Sequence, residues 1–252
     1  MHIEKYQKHA VGHLLRHYNR TSASYSNPDI DHSRTKFNYN LVPERKITDM
    51  EYYHKRLGEV KCQNRSDVNT LCDWIVTLPK LPFTQKEERH FFEAVYRFLS
   101  ERYLEKNVVS AWVHKDEGGQ AHMHFCFIPV TLDQKKKIEK VCAKEVINRN
   151  ELNKIHREMA ACMENEFGYD VGIINGSTIG GNKSVLELKL QDIREDICTL
   201  ECLRTQNINE MAVLIKKKPS VLARITKAVK IALGKVEPEH EKNINRLPER
   251  SR

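Results

Sequence analysis

Hydrophobic positions near the start of the chain recur first at strand spacing and then at helical spacing. HIEKYQ (2–7) has the pattern of a short strand, and the stretch HAVGHLLRHYNR that follows predicts a helix. Apolar residues share one side of this helix: Val11, Leu14, Leu15 and Tyr18. Basic residues share the opposite side: His13, Arg16, His17 and Arg20. The apolar stripe should pack on a core, whereas the basic stripe is either a solvated face or a functional surface.

The next segments alternate between extended and helical patterns. In TKFNYNLV, Phe37, Tyr39 and Leu41 alternate with polar residues, which predicts a half-buried strand. ITDMEYYHKRLGEV (47–60) predicts a helix, and LCDWIVTLP (71–79) is a β-rich run closed by proline. Thr84 and Glu87 then form a capping-box signature ahead of a series of apolar residues, so we expect a helix from about 85 to 105.

Two further strands and three helices complete the pattern. NVVSAWVH (107–114) and HMHFCFIPV (122–130) are joined by the short turn DEGGQA and predict an antiparallel hairpin. Helical patterns then cover three segments: 145–167, 184–204 and 219–233. The chain is therefore expected to have an α+β domain over 1–180, a helical extension over 181–235 and a polar tail over 236–252.

Composition narrows the cellular setting and the partners. The excess of 42 Lys and Arg over 34 Asp and Glu gives a net charge of +8, which favours a polyanion such as nucleic acid. The seven cysteines form no CxxC pair, and their odd number argues against a disulfide framework. The sequence has neither the apolar core of a signal peptide nor the roughly 18 apolar residues of a membrane span. We expect a cytoplasmic protein without a membrane segment.

The hairpin carries a cluster of histidines. His122 and His124 project from the same face of the second strand, because side chains alternate along a strand. His114 ends the first strand and can reach that face across the hairpin. Three converging imidazoles are typical of a divalent-metal site that leaves coordination positions open. The alternative is a set of exposed or hydrogen-bonded histidines.

Two carboxylates lie in the turn between these strands. Asp116 or Glu117 could orient a ligating imidazole, move a proton or approach the metal, although acidic residues are also ordinary turn residues. A metal on neutral imidazoles keeps its charge and can bind a phosphate oxygen or activate water. The residues therefore predict metal-dependent phosphodiester chemistry or metal-dependent hydrolysis, and the basic composition favours the former.

Three segments together resemble a known family. HYNR (17–20), FNYNL (37–41) and HKDEGGQAHMH (114–124) resemble, in order and separation, the MobV family of plasmid mobilisation relaxases, also called plasmid recombination (Pre/Mob) enzymes. The resemblance covers roughly 1–170. It implies the HUH-relaxase-like fold, a central antiparallel sheet flanked by helices. It also implies a nickase that cuts one DNA strand at a plasmid or mobile-element transfer origin by transesterification and stays joined to the 5′ end.

The resemblance also assigns roles to residues of the site. It implies that His114, His122 and His124 bind the metal, either Mn²⁺ or Mg²⁺, with Zn²⁺ as a further possibility from ligand softness. Glu117 matches the acidic residue of the same motif, and His17 matches a histidine proposed in the family as the nucleophile. Tyr39 and Tyr18 are the next candidates for that role. Arg20 could hold the scissile phosphate.

Further residues are expected to contact DNA. Tyr39 and Tyr103 match aromatic positions associated with DNA in the family, although either could belong to the core; Asn38 and Arg16 are also expected to contact DNA. The chain departs from the family at Asn40, where an acid is usual, and in the longer turn after Glu117. These departures keep two alternatives open: an origin-binding regulatory protein with weak catalysis, and a zinc hydrolase. The C-terminal helices could support a homodimer.

Overall fold

The computed structural model describes residues 1–22, 27 and 29–174, together with four isolated positions at 190, 194, 197 and 198. Most of these lie in the first of two compact units, which spans Met1–Asn175. The predicted extension (181–235), its self-association helices and the polar tail (236–252) lie outside the described residues, apart from the four isolated positions, which are helical.

A five-stranded antiparallel sheet forms the centre of the described unit, in the order β1-β3-β5-β4-β2. Its strands are β1 (His2–Gln7), β2 (Tyr39–Asn40), β3 (Asn69–Thr77), β4 (Val108–His114) and β5 (His122–Phe127). The helices are α1 (Lys8–Tyr18), α2 (Asp49–Glu59), α3 (Gln85–Tyr103), α4 (Ala143–Val146) and α5 (Arg149–Phe167). A separate hairpin joins β6 (Val130–Asp133) to β7 (Ile138–Val141). The predicted α+β class and antiparallel central sheet are confirmed.

The sheet is covered on both sides, and alternate residues of each strand face different helices. We call the side packed against α1 and α2 the site face; its buried apolar residues include Val11, Leu15, Tyr18, Tyr53, Leu57, Leu71 and Cys126. We call the side packed against α3 and α5 the core face; its buried residues include Trp74, Phe91, Phe92, Leu99, Phe125, Phe127, Ile155, Met159 and Met163. Both faces exclude water, so polar groups buried there need partners.

Local signals explain where the two best-defined helices begin. Thr84 caps α3 as predicted: its side chain accepts from the Glu87 amide while the Glu87 carboxylate accepts from the Thr84 amide. Thr48 and Glu51 form the same capping box at the start of α2. These boxes fix the residues at which α2 and α3 begin. The apolar side of α2 then covers the site face, and the apolar side of α3 covers the core face.

The structure differs from the expected elements in three places. The predicted strand 122–130 ends at Phe127, and β6 begins after Pro129, which cannot donate a ladder hydrogen bond. The predicted helix 145–167 is two helices, because the Asn148 side chain accepts from the Glu151 amide and starts α5 afresh. Only Tyr39–Asn40 of the strand expected around 35–42 is extended in a sheet, since Thr35–Phe37 forms a 3₁₀ turn.

The structure also describes the helices and the cysteines on which the expectations about a membrane span and disulfides depend. Within the described residues no helix has the length and apolar character needed to cross a membrane. The described cysteines are free thiols, including the buried Cys72 and Cys126.

Candidate functional site

The histidine cluster lies where β4 and β5 begin their hairpin, on the site face of the sheet. His114 and His122 are direct cross-strand partners, and the three ring centroids lie 5.1–5.5 Å apart. One ring nitrogen from each residue lies within 4.8 Å of the others. We call His114, His122 and His124 the histidine triad. The structure therefore brings together the three histidines that the sequence placed on one hairpin.

Each ring of the histidine triad has one nitrogen facing an acceptor, which fixes its tautomer. Nε2 of His114 lies 2.8 Å from the Tyr18 carbonyl, Nδ1 of His124 lies 2.7 Å from Asp73 Oδ2, and Nδ1 of His122 lies 3.3 Å from the Gln120 carbonyl. A carbonyl or carboxylate oxygen only accepts, so these nitrogens carry the protons. The lone pairs are left on Nδ1 of His114 and on Nε2 of His122 and His124.

The buried donors fit a divalent cation. Nδ1 of His114 is fully buried and has no hydrogen-bond partner among the described residues, as expected of a nitrogen arranged to ligate a metal. Burial lowers the pKa of His114, and burial together with the neighbouring His124 lowers the pKa of His122 to about 4. Both rings are therefore neutral at physiological pH, the form that binds a metal.

Two buried residues support His124 from behind. Asp73 Oδ2 accepts from His124 and also from the Tyr18 hydroxyl at 2.8 Å, and the Tyr18 ring stacks on His124 with centroids 4.2 Å apart. Burial alone would raise the pKa of Asp73, but its interactions with His124 and Tyr18 hold it below its usual value. A carboxylate behind a ligating imidazole orients the ring and raises its basicity.

Asp73 was missed by sequence reasoning. The available signal was an acid inside an otherwise apolar strand, LCDWIVT, where a buried charge requires a partner. The partner could not be named without the β3–β5 register, which pairs Ile75 with His124. Strand alternation then places Asp73 on the same face as His124.

His17 stands beside the histidine triad, on the last turn of α1. Its ring centroid lies 6.0 Å from that of His114, and its Nε2 lies 3.5 Å from Glu117 Oε1. Glu117 Oε1 is also 3.5 Å from Nδ1 of His114. One ligand atom each from His17, His114 and Glu117 lies within 4.8 Å of the others, and we call these residues the His17 trio. The His17 side chain is 27% exposed, so it can meet a substrate.

Glu117 is a carboxylate at neutral pH. Burial alone would raise its pKa, but its interactions with His114, His17 and Arg20 hold the pKa well below its usual range. Its Oε2 accepts from Asn27 at 3.1 Å, which ties the turn to the preceding loop. The carboxylate lies 3.5 Å from both His17 and a ring of the histidine triad, and its role there stays a prediction.

Arg20 does not lie on α1 but just beyond its end. The helix closes with bonds from the Arg20 amide to the His17 carbonyl at 3.3 Å and from the Thr21 amide to the Arg16 carbonyl at 3.0 Å, the Schellman pattern. Arg20 occupies the left-handed position of this motif, with φ of 56°, where glycine is usual. The predicted basic stripe therefore ends at His17, and Arg20 turns toward the hairpin.

The Arg20 guanidinium is fully engaged with the protein. Nε and Nη2 donate to the two oxygens of Asp116 at 2.9 and 2.8 Å, and Nη2 also donates to Glu117 Oε1 at 2.6 Å. Nη1 donates to the His17 carbonyl at 2.7 Å and lies 3.4 Å from His17 Nε2. All five N–H groups thus face acceptors, and the side chain is only 5% exposed. This arrangement favours a positioning role for Arg20 over the expectation that it holds the scissile phosphate.

Polar contacts also fix the turn that carries Asp116 and Glu117. Thr35 Oγ1 donates to Asp116 Oδ2 at 2.8 Å, and the Lys115 amide donates to Asn38 Oδ1 at 2.8 Å. Asn38, which we expected to contact DNA, therefore uses its carbonyl oxygen to position this turn. Asn40 Oδ1 accepts from the Ala111 amide at 3.0 Å, a structural role that needs an acceptor rather than a charge.

The remaining predicted DNA contacts occupy different environments. Tyr39 lies in an open cleft of about 450 Å³, where the Arg89 guanidinium carbon lies 4.9 Å from its ring centroid. Other residues line the same cleft: Phe37, Gln85, Lys86, Glu88 and Lys115. Tyr39 is half-buried, with its hydroxyl oxygen enclosed, whereas Arg16 is exposed on α1.

Two tyrosines are excluded from the roles suggested for them. Tyr103 is buried on the core face, where its hydroxyl donates to Glu151 at 2.6 Å and its ring stacks on Phe127 with centroids 4.1 Å apart. A ring enclosed there cannot stack on DNA, so the core alternative describes Tyr103. The buried hydroxyl of Tyr18 lies behind His124 and donates to Asp73, and burial raises its pKa well above the usual range. Tyr18 is therefore unsuited to attack a substrate.

Comparisons with known proteins agree with this architecture. The sequence model of the Mob_Pre family, described as plasmid recombination enzyme, matches residues 1–179. A plasmid recombination enzyme from Lactiplantibacillus plantarum is 34% identical over 191 residues, covering 73% of this chain and 50% of that protein. One from Bacillus thuringiensis is 30% identical over 181 residues, covering 70% of this chain and 39% of that protein. The chain thus spans half or less of the length of these curated relatives.

A solved structure shares the fold. The Mn-bound crystal structure of the MobM relaxase domain (MOBV; Mob_Pre) with plasmid pMV158 oriT DNA at pH 6.8 has a TM-score of 0.62 and 27% sequence identity to this chain. The similarity covers 75% of this chain and 96% of that domain. A second Mn-bound structure of the same domain, at pH 4.6, gives 0.60 and 28%.

Proposed function

The chain belongs to the Mob_Pre family of plasmid recombination enzymes, and on that premise we propose that it is a metal-dependent DNA relaxase. It nicks one strand at the transfer origin of a plasmid or mobile element and keeps the 5′ end covalently attached, for mobilisation or recombination. The observation that carries the proposal is the position of His17. Its Nε2 lies 3.5 Å from Glu117, which in turn contacts the histidine triad. The proposed nucleophile and the proposed metal site thus lie side by side, and the His17 side chain is 27% exposed.

The histidine triad would hold the metal through Nδ1 of His114 and Nε2 of His122 and His124. A divalent cation there supplies charge that polarises the scissile phosphate and stabilises the negative charge developing during transfer. Manganese is favoured because the similar MobM domain structures are Mn-bound. Magnesium and zinc remain alternatives that metal analysis separates, since three imidazoles suit zinc by softness.

His17 is the proposed nucleophile. The lone pair of a neutral ring nitrogen forms a bond to phosphorus while the bond from phosphorus to the 3′ oxygen breaks. The 3′ oxygen takes a proton from solvent and leaves as a 3′ hydroxyl, and the ring gives its remaining N–H proton to solvent. The 5′ phosphate is then held on His17, and attack by a 3′ hydroxyl reverses these steps and rejoins DNA.

Glu117 and Arg20 prepare His17 for this step without touching DNA. The Glu117 carboxylate faces Nε2 of His17 and stabilises the positive charge that the ring acquires when nitrogen bonds to phosphorus. Arg20 donates to the His17 carbonyl and to Glu117, so it fixes both ends of this contact. Arg20 is a positioning residue in this mechanism.

The cleft around Tyr39 is the proposed path of unpaired DNA. Tyr39 and the half-exposed Phe37 offer rings on which bases can stack, and Lys86 offers positive charge to the phosphates, whereas Lys115 and Arg89 are ion-paired with Glu88 and Glu93. Lys115, which lines the cleft, is the residue that follows His114 of the histidine triad in the chain. Exposed Arg16 provides a further phosphate contact on the α1 side.

A nicking assay tests the proposal. Supercoiled plasmid carrying the cognate origin is incubated with the protein and Mn²⁺ or Mg²⁺, and the products are separated on a denaturing gel. We expect open circles with protein attached to a 5′ end, and no product when a chelator is present. Specific DNA binding without a nick in either metal would instead support the origin-binding regulatory alternative.

A further inference from the structure

The described residues contain two groups of metal-ligand atoms that share one residue. The histidine triad and the His17 trio both include His114. His114 has only one nitrogen with a lone pair, Nδ1, because its Nε2 donates to Tyr18. A metal ion can therefore occupy one group or the other through His114, but not both.

Occupation of the wrong group would inactivate the proposed nucleophile. A cation in the His17 trio would take the Nε2 lone pair of His17, the atom that attacks phosphorus. The ligand chemistry alone does not prevent this, since two imidazoles and a carboxylate are good ligands for zinc, cobalt or manganese. Something else in the structure must direct the metal to the histidine triad.

Arg20 is placed to do this. Its guanidinium lies 2.6 Å from Glu117 Oε1 and 3.4 Å from His17 Nε2, the two atoms that a cation in the His17 trio would need. Arginine keeps its charge at any physiological pH, so the repulsion of a divalent cation is permanent. The bidentate bond to Asp116 keeps the guanidinium in this place.

We propose that Arg20 acts as a built-in cation that excludes metal ions from the His17 trio and so confines them to the histidine triad. The backbone supports this view, because Arg20 adopts a left-handed conformation (φ 56°) that favours glycine. The interactions of its side chain hold it there. Metal exclusion by Arg20 needs no DNA, and it rests on the proposed function only for the role of His17 as nucleophile.

The test removes the histidine triad and asks whether the His17 trio can then bind metal. In a His122→Asn/His124→Asn background, the asparagine amides retain donors near the positions of Nδ1 but lose the ligating Nε2 atoms. Arg20→Gly is added to this background, because glycine suits the left-handed backbone while removing the charge. Co²⁺ binding to the full chain is measured by equilibrium dialysis and by visible absorption.

We expect the background carrying Arg20 to bind Co²⁺ at least about 100-fold more weakly than the Arg20→Gly protein, because repulsion by the fixed charge is lost. Adding His17→Ala to the Arg20→Gly protein should abolish the new binding, and Arg20→Lys in place of Arg20→Gly should not create it. Circular dichroism verifies folding, and Arg20→Gln replaces Arg20→Gly if that variant unfolds.

Three results would overturn the proposal: equal Co²⁺ affinity with and without Arg20, binding by the Arg20→Lys variant as tight as by Arg20→Gly, or binding that survives His17→Ala. None of these measurements uses DNA cleavage. A failure of the nicking assay and a failure of metal exclusion can therefore be told apart.

Discussion

Alternate residues of the same strands face opposite sides of the central sheet, and the two sides differ in chemistry. Along β5, His124 points to the site face and Phe125 to the core face, and along β3 the same holds for Asp73 and Trp74. The core face is apolar and aromatic. The site face buries polar groups whose hydrogen bonds end at the histidine triad. Because side chains alternate along a strand, a residue of the site and a residue of the apolar core can be neighbours in the chain.

This arrangement predicts that substitutions at neighbouring positions should change different measured properties. A residue on the core face should change the free energy of unfolding, because its removal leaves a cavity. At pH 7, a substitution at the histidine triad should change metal binding or DNA cleavage with little change in the free energy of unfolding. Substitutions at His17, Phe125, His122 and Asp73 test this contrast, from the largest expected effect to the smallest.

The largest effect is expected on cleavage, at His17. His17→Ala removes the proposed nucleophile and should lower origin cleavage by at least about 10⁴-fold. DNA affinity and the thermal unfolding midpoint should stay close to wild type, because the side chain is partly exposed. Covalent adduct formation and calorimetry measure the two quantities. His13→Ala, exposed on the same helix, is the matched control; an adduct formed by His17→Ala would direct the search to Tyr39.

The largest effect on stability is expected at Phe125. Phe125→Ala removes a fully buried ring from the core face and should lower the free energy of unfolding by about 3–5 kcal/mol. Urea denaturation measures this loss. Phe37→Ala, which removes the same side chain from a position 48% exposed, should cost under about 1 kcal/mol. Similar losses at the two positions would contradict the assignment of Phe125 to the core.

The site face should make the metal-free protein sensitive to acid. The pKa of His122 is lowered by burial from 6.5 to about 4, so the unfolded chain binds a proton more readily than the folded chain between these values. The contribution to stability is complete above pH 6.5 and is lost as the pH falls toward 4. It amounts to about 2 kcal/mol between pH 7 and pH 5.

Denaturation of the metal-free protein at several pH values checks this prediction. His122→Asn should flatten the pH dependence over this range by about the same amount, because asparagine does not titrate. Phe37→Ala should leave the slope unchanged. An unaltered slope in His122→Asn would show that the acid sensitivity arises elsewhere, for example from the carboxylates that Arg20 binds.

The smallest effect is expected at Asp73. Asp73→Asn keeps an acceptor for His124 and Tyr18 but removes the negative charge behind the ligating ring, so Mn²⁺ affinity should fall by about tenfold. Calorimetric titration measures this change. Asp67→Asn, at an exposed position, is the charge-matched control and should leave the affinity unchanged. An unchanged affinity in Asp73→Asn would limit the role of Asp73 to packing.

Much of this contrast was predictable from the sequence, because it depends on local spacing. The alternation in HMHFCF places His122 and His124 on one face, and the capping box at Thr84 fixes where α3 begins. These signals lie within a few residues and do not require knowledge of the tertiary structure. The resemblance of three short segments then assigned His17 to the same site.

The remainder depended on contacts between distant segments. Asp73 could be linked to His124 only through the β3–β5 register, and Arg20 could be linked to Asp116 only once the turn was placed beside α1. The β6–β7 hairpin was missed because its strands are only four residues long and a basic tip separates them. Long-range pairing of this kind leaves little trace in local periodicity.

The bond from His114 Nε2 to the Tyr18 carbonyl couples two parts of the site thermodynamically. Tyr18 follows His17 in the chain, so the docking of α1 both positions the proposed nucleophile and selects the His114 tautomer whose Nδ1 keeps its lone pair. Coupling free energies are reciprocal. Metal affinity must therefore rise when α1 docks, and a bound metal must hold the nucleophile in place by the same amount. The proposed catalytic centre is therefore expected to assemble as one cooperative unit.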